Sequence, residues 1–252
     1  TILSSYCYMD MFYDCSLLIN APKLPAKELK YECYYAMFQN CSSLTEAPAL
    51  PATNLYSSCY AYMFKRCTSL TEAPALPATY LYQSCYESMF YGCSSLTKAP
   101  ELPAKEMERY CYNSMFIECS SLTKAPELPA TTLEYECYSF MFGFCTSLTR
   151  APEILPATTL VINCYEYMFK GCSLLTKAPE LPAKKLEMNC YNEMFNGCTL
   201  LNNVKCLGYD ILALNATYNW LFGSSTSGTF ITADNPPAWT SGTSGIPEGW
   251  NV

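Results

Sequence analysis

Hydrophobic and polar positions recur along this chain with a period of 26 residues. The clearest copies read C-Y-x-x-M-F-x-x-C-S-S-L-T-x-A-P-x-L-P-A-x-x-L-x-x-x. The opening cysteine of each copy is found at Cys7, Cys33, Cys59, Cys85, Cys111, Cys137, Cys164 and Cys190. Each step is 26 residues except the step into Cys164, which is 27 because one extra residue lies within 152–156. A strict period of this length predicts an α/β repeat solenoid of about eight coils, and the long surface of a solenoid is better suited to binding than to catalysis.

The first part of each copy has the spacing of a helix. In the third copy, Cys59, Met63, Phe64 and Cys67 occupy positions i, i+4, i+5 and i+8. These positions share one face of an α-helix. We therefore expect a short helical segment of one or two turns in each coil.

The second part of each copy has the features of a short strand followed by an extended arm. Leu70 and the β-branched Thr71 favour a strand around 70–73. Pro74 and Pro77 limit its length, since proline cannot donate to a sheet ladder. We expect the A-P-x-L-P-A stretch to be extended and polyproline-like.

Stacking must stabilise these coils, because one 26-residue unit buries too few apolar side chains to fold alone. Each inward position then becomes a column of like residues along the rod. The leucine column contains Leu18, Leu44, Leu70, Leu96, Leu122, Leu148, Leu175 and Leu201. The phenylalanine column contains Phe12, Phe38, Phe64, Phe90, Phe116, Phe142, Phe169 and Phe195.

The chain contains seventeen cysteines, and sixteen of them form eight C-x7-C pairs, with Cys206 left over. In a helical segment the two members of a pair would be roughly 12 Å apart. A disulfide needs Cα atoms within about 7 Å. Equivalent cysteines of adjacent coils could be close enough to bridge, but only by twisting out of register. We favour buried free thiols that act as small apolar side chains.

The repeat motif resembles a known family. The motif is M-F-x-G-C-S-S-L-T, seen in full as Met89-Phe90-Tyr91-Gly92-Cys93-Ser94-Ser95-Leu96-Thr97, and M-F-x-G-C recurs at 168–172 and 194–198. It resembles the BspA-type leucine-rich repeats of bacterial surface proteins over residues 1 to about 207. The resemblance implies a right-handed rod with short parallel strands, found on bacteria of the Bacteroides group or on their phages, with adhesion as the inferred role. The proline-rich arm departs from that family.

The repeat stops after Leu207. We divide the chain into a solenoid at 1–207 and a C-terminal cap, or small Gly/Ser/Thr/Trp-rich module, at 208–252. Trp220, Leu221 and Phe222 are the residues expected to cover the last hydrophobic layer.

Composition excludes several functions. There is no histidine, which removes the commonest general base and most catalytic zinc sites. The cysteine spacing fits neither zinc nor iron–sulfur ligation, so no metal, cofactor or catalytic residue is expected. A net charge of −7 argues against a nucleic-acid partner. No apolar run approaches the roughly 20 residues of a membrane span, so we expect no membrane insertion.

Two charged rows are the first candidate binding surface. Two residues after the leucine column the chain has Asn20, Glu46, Glu72, Lys98, Lys124, Arg150 and Lys177, and three residues further on it has Lys23, Ala49, Ala75, Glu101, Glu127, Glu153 and Glu180. One interpretation is a solvated face with weak lateral ion pairs. The other is a polar binding face, with an acidic N-terminal half around Glu46 and Glu72.

Tyrosines are the second candidate. A regular row follows the opening cysteines, and we expect it to form a half-buried stack with its hydroxyls in water. Irregular tyrosines vary between copies, so packing does not require them. Among these, Tyr56, Tyr62, Tyr80 and Tyr82 are candidate contacts for a sugar or a protein.

The sequence therefore predicts a non-enzymatic binding or adhesion rod at a bacterial cell surface, extracellular or on a phage particle. Its partner would be a protein or glycan on another cell or host. The alternative is a structural or assembly module, such as a spacer, a self-associating filament subunit or a phage tail component.

Overall fold

A computed structural model describes residues 3–233 and 239–252. Residues 1–2 and 234–238, which belong to the two segments assigned above, lie outside the described residues. The predicted phenylalanine column is present: neighbouring rings from Phe12 to Phe195 have centroids 5.4 to 5.6 Å apart and lie within 11° of parallel. The chain thus winds once per repeat and stacks like residues. The right-handed sense and the number of repeats stay predictions.

The predicted helical segments are wrong. The described residues contain no helix, and the segment that was expected to be helical is a run of consecutive turns. In the third copy Ser58, Tyr62 and Arg66 have φ of 56°, 60° and 59°. A left-handed residue at every fourth position cannot continue an α-helix.

The backbone hydrogen bonds of this segment alternate in direction. Phe64 N donates to Met89 O of the next coil at 2.9 Å, while Met63 N closes a turn on Tyr60 O at 3.2 Å. Half of the amides therefore join coils rather than turns of a helix. This arrangement satisfies the backbone and keeps a four-residue spacing between inward side chains.

The strands are very short and parallel. β1 (Tyr80–Leu81) pairs with β2 (Glu106–Met107), and β3 (Asn203–Lys205), β4 (Gly228–Ile231) and β5 (Trp250–Asn251) form a second sheet in that order. Isolated parallel bridges, such as Glu72 with Lys98, mark the arm where a strand was expected. The two prolines of each arm, three or four residues apart, keep that ladder from lengthening.

The regular tyrosine row is fully buried from the second coil onward, so the expectation of half-buried rings with hydroxyls in water is wrong. Tyr34 is 2% exposed and Tyr112 is 1% exposed. The hydroxyls of Tyr86, Tyr112 and Tyr138 are buried and find no hydrogen-bond partner among the described residues. In the four-residue turns the cysteine and the tyrosine after it both point inward.

The cysteines lie in the same core. All seventeen are free; Cys7 is half-buried, Cys15 is exposed, and the other fifteen are buried. Cys67 Sγ donates to Phe38 O of the preceding coil at 3.1 Å, and the same contact recurs from Cys93 to Phe64. The thiols therefore pack as apolar groups and also serve as weak donors to turn carbonyls.

The two ends of the stack differ. Tyr8 of the first coil is 46% exposed, although its equivalents in later coils are buried. At the other end Trp220 is buried, and its ring stacks on Tyr191 at 6.1 Å and on Trp239 at 5.5 Å. Leu221 is buried as expected, but Phe222 is exposed.

The turn pattern continues past residue 207. Asn215, Asn219 and Gly223 have positive φ, and Phe195 N donates to Trp220 O at 2.9 Å. The division of the chain at residue 207 stays a prediction. No helix in the described segments is long and apolar enough to cross a membrane.

Candidate functional site: a proline-lined groove

The T-x-A-P-x-L-P-A arm forms a recess on one face of the solenoid. In the third copy Leu76 and Ala78 are buried and Ala75 and Pro77 are exposed, because the two prolines hold the arm extended and alternate side chains point inward. Successive coils place these arms side by side. The alanines and prolines then form the floor of a shallow channel.

Cavities of about 400 to 510 Å³ follow this channel from the first copy to the seventh. We call the channel the groove; its lining lies within residues 20–25, 46–51, 72–77, 97–103, 123–129, 149–153 and 176–178. The largest of these four cavities lies between the arms that carry Lys98 and Lys124. Its lining is mostly apolar, with charged side chains at the rims.

The rims of the C-terminal half carry opposite charges. We call Lys98, Lys124, Arg150 and Lys177 the basic row, and Glu101, Glu127, Glu153 and Glu180 the acidic row. Within the described residues no member of the basic row lies within 4.0 Å of a carboxylate oxygen. In the acidic row Glu180 pairs with Lys205 at 2.9 Å. The lateral ion pairs considered from sequence are therefore absent between the two rows.

Each row is held in register by the backbone. Parallel bridges join Glu72 to Lys98 and Lys124 to Arg150, and Glu180 N donates to Glu153 O at 2.9 Å. Like charges thus follow one another at the spacing of the coils. Water, salt and the other row offset the repulsion within each row, and Lys205 offsets it further at Glu180.

Six of the ten residues predicted as a binding surface line this groove: Glu46, Glu72, Lys98, Lys124, Arg150 and Lys177. The four candidate tyrosines do not line it. The structure therefore splits the predicted surface into separate patches.

Three of the tyrosines form a patch of their own. Tyr56 and Tyr82 stack with centroids 5.5 Å apart at 7°, and Tyr80 meets Tyr82 edge-on at 5.0 Å. Lys30 Nζ lies 4.3 Å from the ring centroid of Tyr56. The ring faces are largely occupied by one another, so edges and hydroxyls, rather than faces, are presented to solvent.

Tyr62 lies on the turn segment with a positive φ. Its hydroxyl donates to a carboxylate oxygen of Glu87 at 2.6 Å, and Lys65 Nζ lies 5.2 Å from its ring centroid. Burial, together with the bond to Glu87, raises the pKa of Tyr62. These contacts give Tyr62 a structural role between adjacent coils.

A polar ladder in the later coils was missed from the sequence. Asn192 Nδ2 donates to Glu166 at 2.7 Å, and Asn163 Nδ2 donates to Glu136 at 3.2 Å. Burial raises the pKa of Glu166. The available signal was the appearance of Asn163 and Asn192 beside the opening cysteines, at positions held by Ser58 and Ala61 in the third copy.

The structure offers no metal centre in the part that it describes: no group of three or more His, Cys, Asp or Glu side chains is placed to hold an ion.

Comparison with known proteins identifies the fold. The family model described as BspA type Leucine rich repeat region matches six copies, over residues 4–88, 33–174 and 112–232. No curated protein matches the chain. A crystal structure of a leucine-rich repeat protein from Bacteroides ovatus superposes with a TM-score of 0.51 at 19% identity, covering 88% of this chain and 52% of that one. The chain thus spans about half of that relative, and the family match places it among the BspA-type leucine-rich repeat proteins.

Proposed function

We propose that this chain is a non-catalytic binding module at a bacterial cell surface, and that its groove recognises a protein or glycan on another cell or host. The single observation that carries the proposal is the groove itself. Its cavities recur along the stack, its floor consists largely of alanine and proline, and in the C-terminal half both of its rims carry charges. Sites of this kind suit a long partner rather than a small substrate.

A protein and glycan array, probed with the recombinant chain, tests this proposal. The informative comparison is between Lys124→Glu with Arg150→Glu, which reverses two charges at the rim, and Lys105→Glu with Lys184→Glu. Lys105 and Lys184 are exposed and lie outside the groove. We expect a selective signal that the groove variant loses and the control variant keeps. A silent array, or equal binding by both variants, would contradict the proposal.

The alternative is an assembly role as a spacer, filament subunit or phage tail component. Exposed apolar side chains on the surface of the stack, such as Leu17, which is 87% exposed, suit it. Light scattering and electron microscopy of the purified chain test this alternative. Ordered end-to-end particles would support it, and a monomer at all concentrations would count against it.

A further inference from the structure

The charges of the two rows repeat at the spacing of the coils, and this limits what can pair with them. Stacked rings of adjacent coils are 5.4 to 5.6 Å apart. Same-face side chains of an extended peptide recur about every 6.6 Å. Such a peptide would lose register with the rows within a few coils. A second copy of this chain has rows of charge with the same spacing, because its coils stack at the same distance.

Symmetry decides the orientation of such a pair. Two grooves that face each other can be related by a two-fold axis parallel to the stacking direction, which exchanges the two rims and keeps each coil at its own height. Lys124 of one copy then faces Glu127 of the other copy. A two-fold axis across the stack, through the fourth coil, would match Glu46 with Arg150 but would place Lys98 against Lys98 and Glu101 against Glu101. The parallel arrangement pairs all four members of the basic row with the acidic row and opposes no like charges, so the charge pattern favours it.

The N-terminal half agrees with this arrangement. Opposite the acidic rim residues Glu46 and Glu72, the other rim carries the neutral Ala49 and Ala75. In a parallel pair these carboxylates would meet alanine rather than another carboxylate. No coil from the first to the seventh would place like charges of the two rows against each other.

We propose that the partner of the groove is a second copy of this chain, bound side by side and parallel through the basic and acidic rows. This inference rests on the proposed function, because it names the partner of the same site. The contact is made by exposed ion pairs around two recessed floors, so it is a weak association that added salt weakens further.

Sedimentation equilibrium at low ionic strength, with four forms of the chain, tests the pairing. The wild type dimerises. The basic-row variant, with Lys98→Glu, Lys124→Glu and Arg150→Glu, stays monomeric. The acidic-row variant, with Glu101→Lys, Glu127→Lys and Glu153→Lys, also stays monomeric, although its net charge is close to zero. The variant with all six changes dimerises again, since each pair is restored with its signs exchanged.

Mixing separates the two orientations. The six-change variant and the wild type, carrying different fluorophores, form no mixed dimer if the pair is parallel, because like charges then face each other. Energy transfer between the wild type and the six-change variant would overturn the inference. So would a wild type that stays monomeric, or single-row variants that dimerise like the wild type. Circular dichroism and thermal melting establish that each variant is folded. The variant with Lys105→Glu and Lys184→Glu is the control, because it reverses charges outside the groove and should dimerise like the wild type.

Failure of the pairing between two copies can be distinguished from failure of the proposed function. A wild type that is monomeric, yet binds an array partner through the rims, would refute the second copy and leave the groove as a binding site. A wild type that is monomeric and silent on the array would refute both.

Discussion

At the scale of residues, two sets of tyrosines differ in what their hydroxyl groups meet. Tyr112 is enclosed in the core and its hydroxyl finds no partner among the described residues, whereas Tyr62 donates to Glu87. Burial raises the pKa of Tyr112 well above its ordinary value. A buried hydroxyl without a partner destabilises the fold, and one with a charged partner stabilises it.

The first prediction compares these two residues. Tyr112→Phe removes an unpaired polar atom and should raise the free energy of unfolding by about 1 kcal/mol. Tyr62→Phe removes a short bond to a carboxylate and should lower it by about 1 kcal/mol. Urea unfolding followed by circular dichroism measures both. A loss of stability in Tyr112→Phe would show that its hydroxyl is hydrogen-bonded.

The second prediction concerns backbone strain at Arg66, an exposed residue with φ of 59°. The equivalent position of the next coil is Gly92, with φ of 71°. Arg66→Gly should raise the stability by about 1 kcal/mol, because glycine adopts this region without a Cβ penalty. Arg66→Ala is the matched control, since it removes the side chain and keeps the strain. Equal stabilities of the two variants would show that the positive φ at residue 66 does not strain the folded chain.

At the scale of elements, the turn segment shows what the sequence could and could not predict. The columns were predictable, because identical residues at a fixed period can be buried only by stacking. The turns were not, because Cys59, Met63 and Cys67 fit a period of four about as well as a period of 3.6 over so short a stretch. Glycine at 92, 171 and 197 was the missed signal, since all three have positive φ.

The third prediction uses the one irregular step of the repeat. Ile154 is exposed and bridges Glu180, while Leu155 takes the buried place in its column. Deleting Ile154 should change stability by no more than about 0.5 kcal/mol, because it restores the common spacing of the surface arm. Deleting the buried Leu102 should cost at least about 2 kcal/mol. Thermal melting of both deletion variants measures the difference. A large loss of stability on deletion of Ile154 would show that Ile154 is not the extra residue of the repeat.

At the scale of the whole molecule, the groove illustrates a further limit of the sequence. The charged rows were visible as rows, yet their place on either side of an alanine and proline floor depends on how the arms stack. The tyrosine candidates stay predictions, and the sequence did not reveal that Tyr56 and Tyr82 stack on each other. Periodicity thus determines which residues stack, and the course of the backbone determines which of them can meet a partner.

The fourth prediction concerns the cysteine thiols that are buried in the core in their protonated form. Burial raises the pKa of Cys59, Cys93 and Cys206 from an ordinary 9.0 to about 12. The unfolded chain releases these protons near pH 9, so their contribution to stability is complete below pH 9 and is lost as the pH rises towards 12. Each such thiol removes about 1.4 kcal/mol per pH unit in that window.

We therefore expect cooperative unfolding in alkali, with the free energy of unfolding falling steeply above pH 9. Denaturant titrations at a series of pH values measure this fall. Cys15→Ser should leave the profile unchanged, since Cys15 is exposed. A stability that stays level up to pH 11 would mean that the thiols are not buried as protonated groups.

The stacking of like residues in register is the claim on which all of these expectations depend, and a crystal structure of the chain measures it most directly. The account predicts that the rings of Phe38, Phe64 and Phe90 follow one another along a single axis, with centroids 5.6 Å apart. Rings that point to unrelated places, or coils that do not follow one axis, would contradict it.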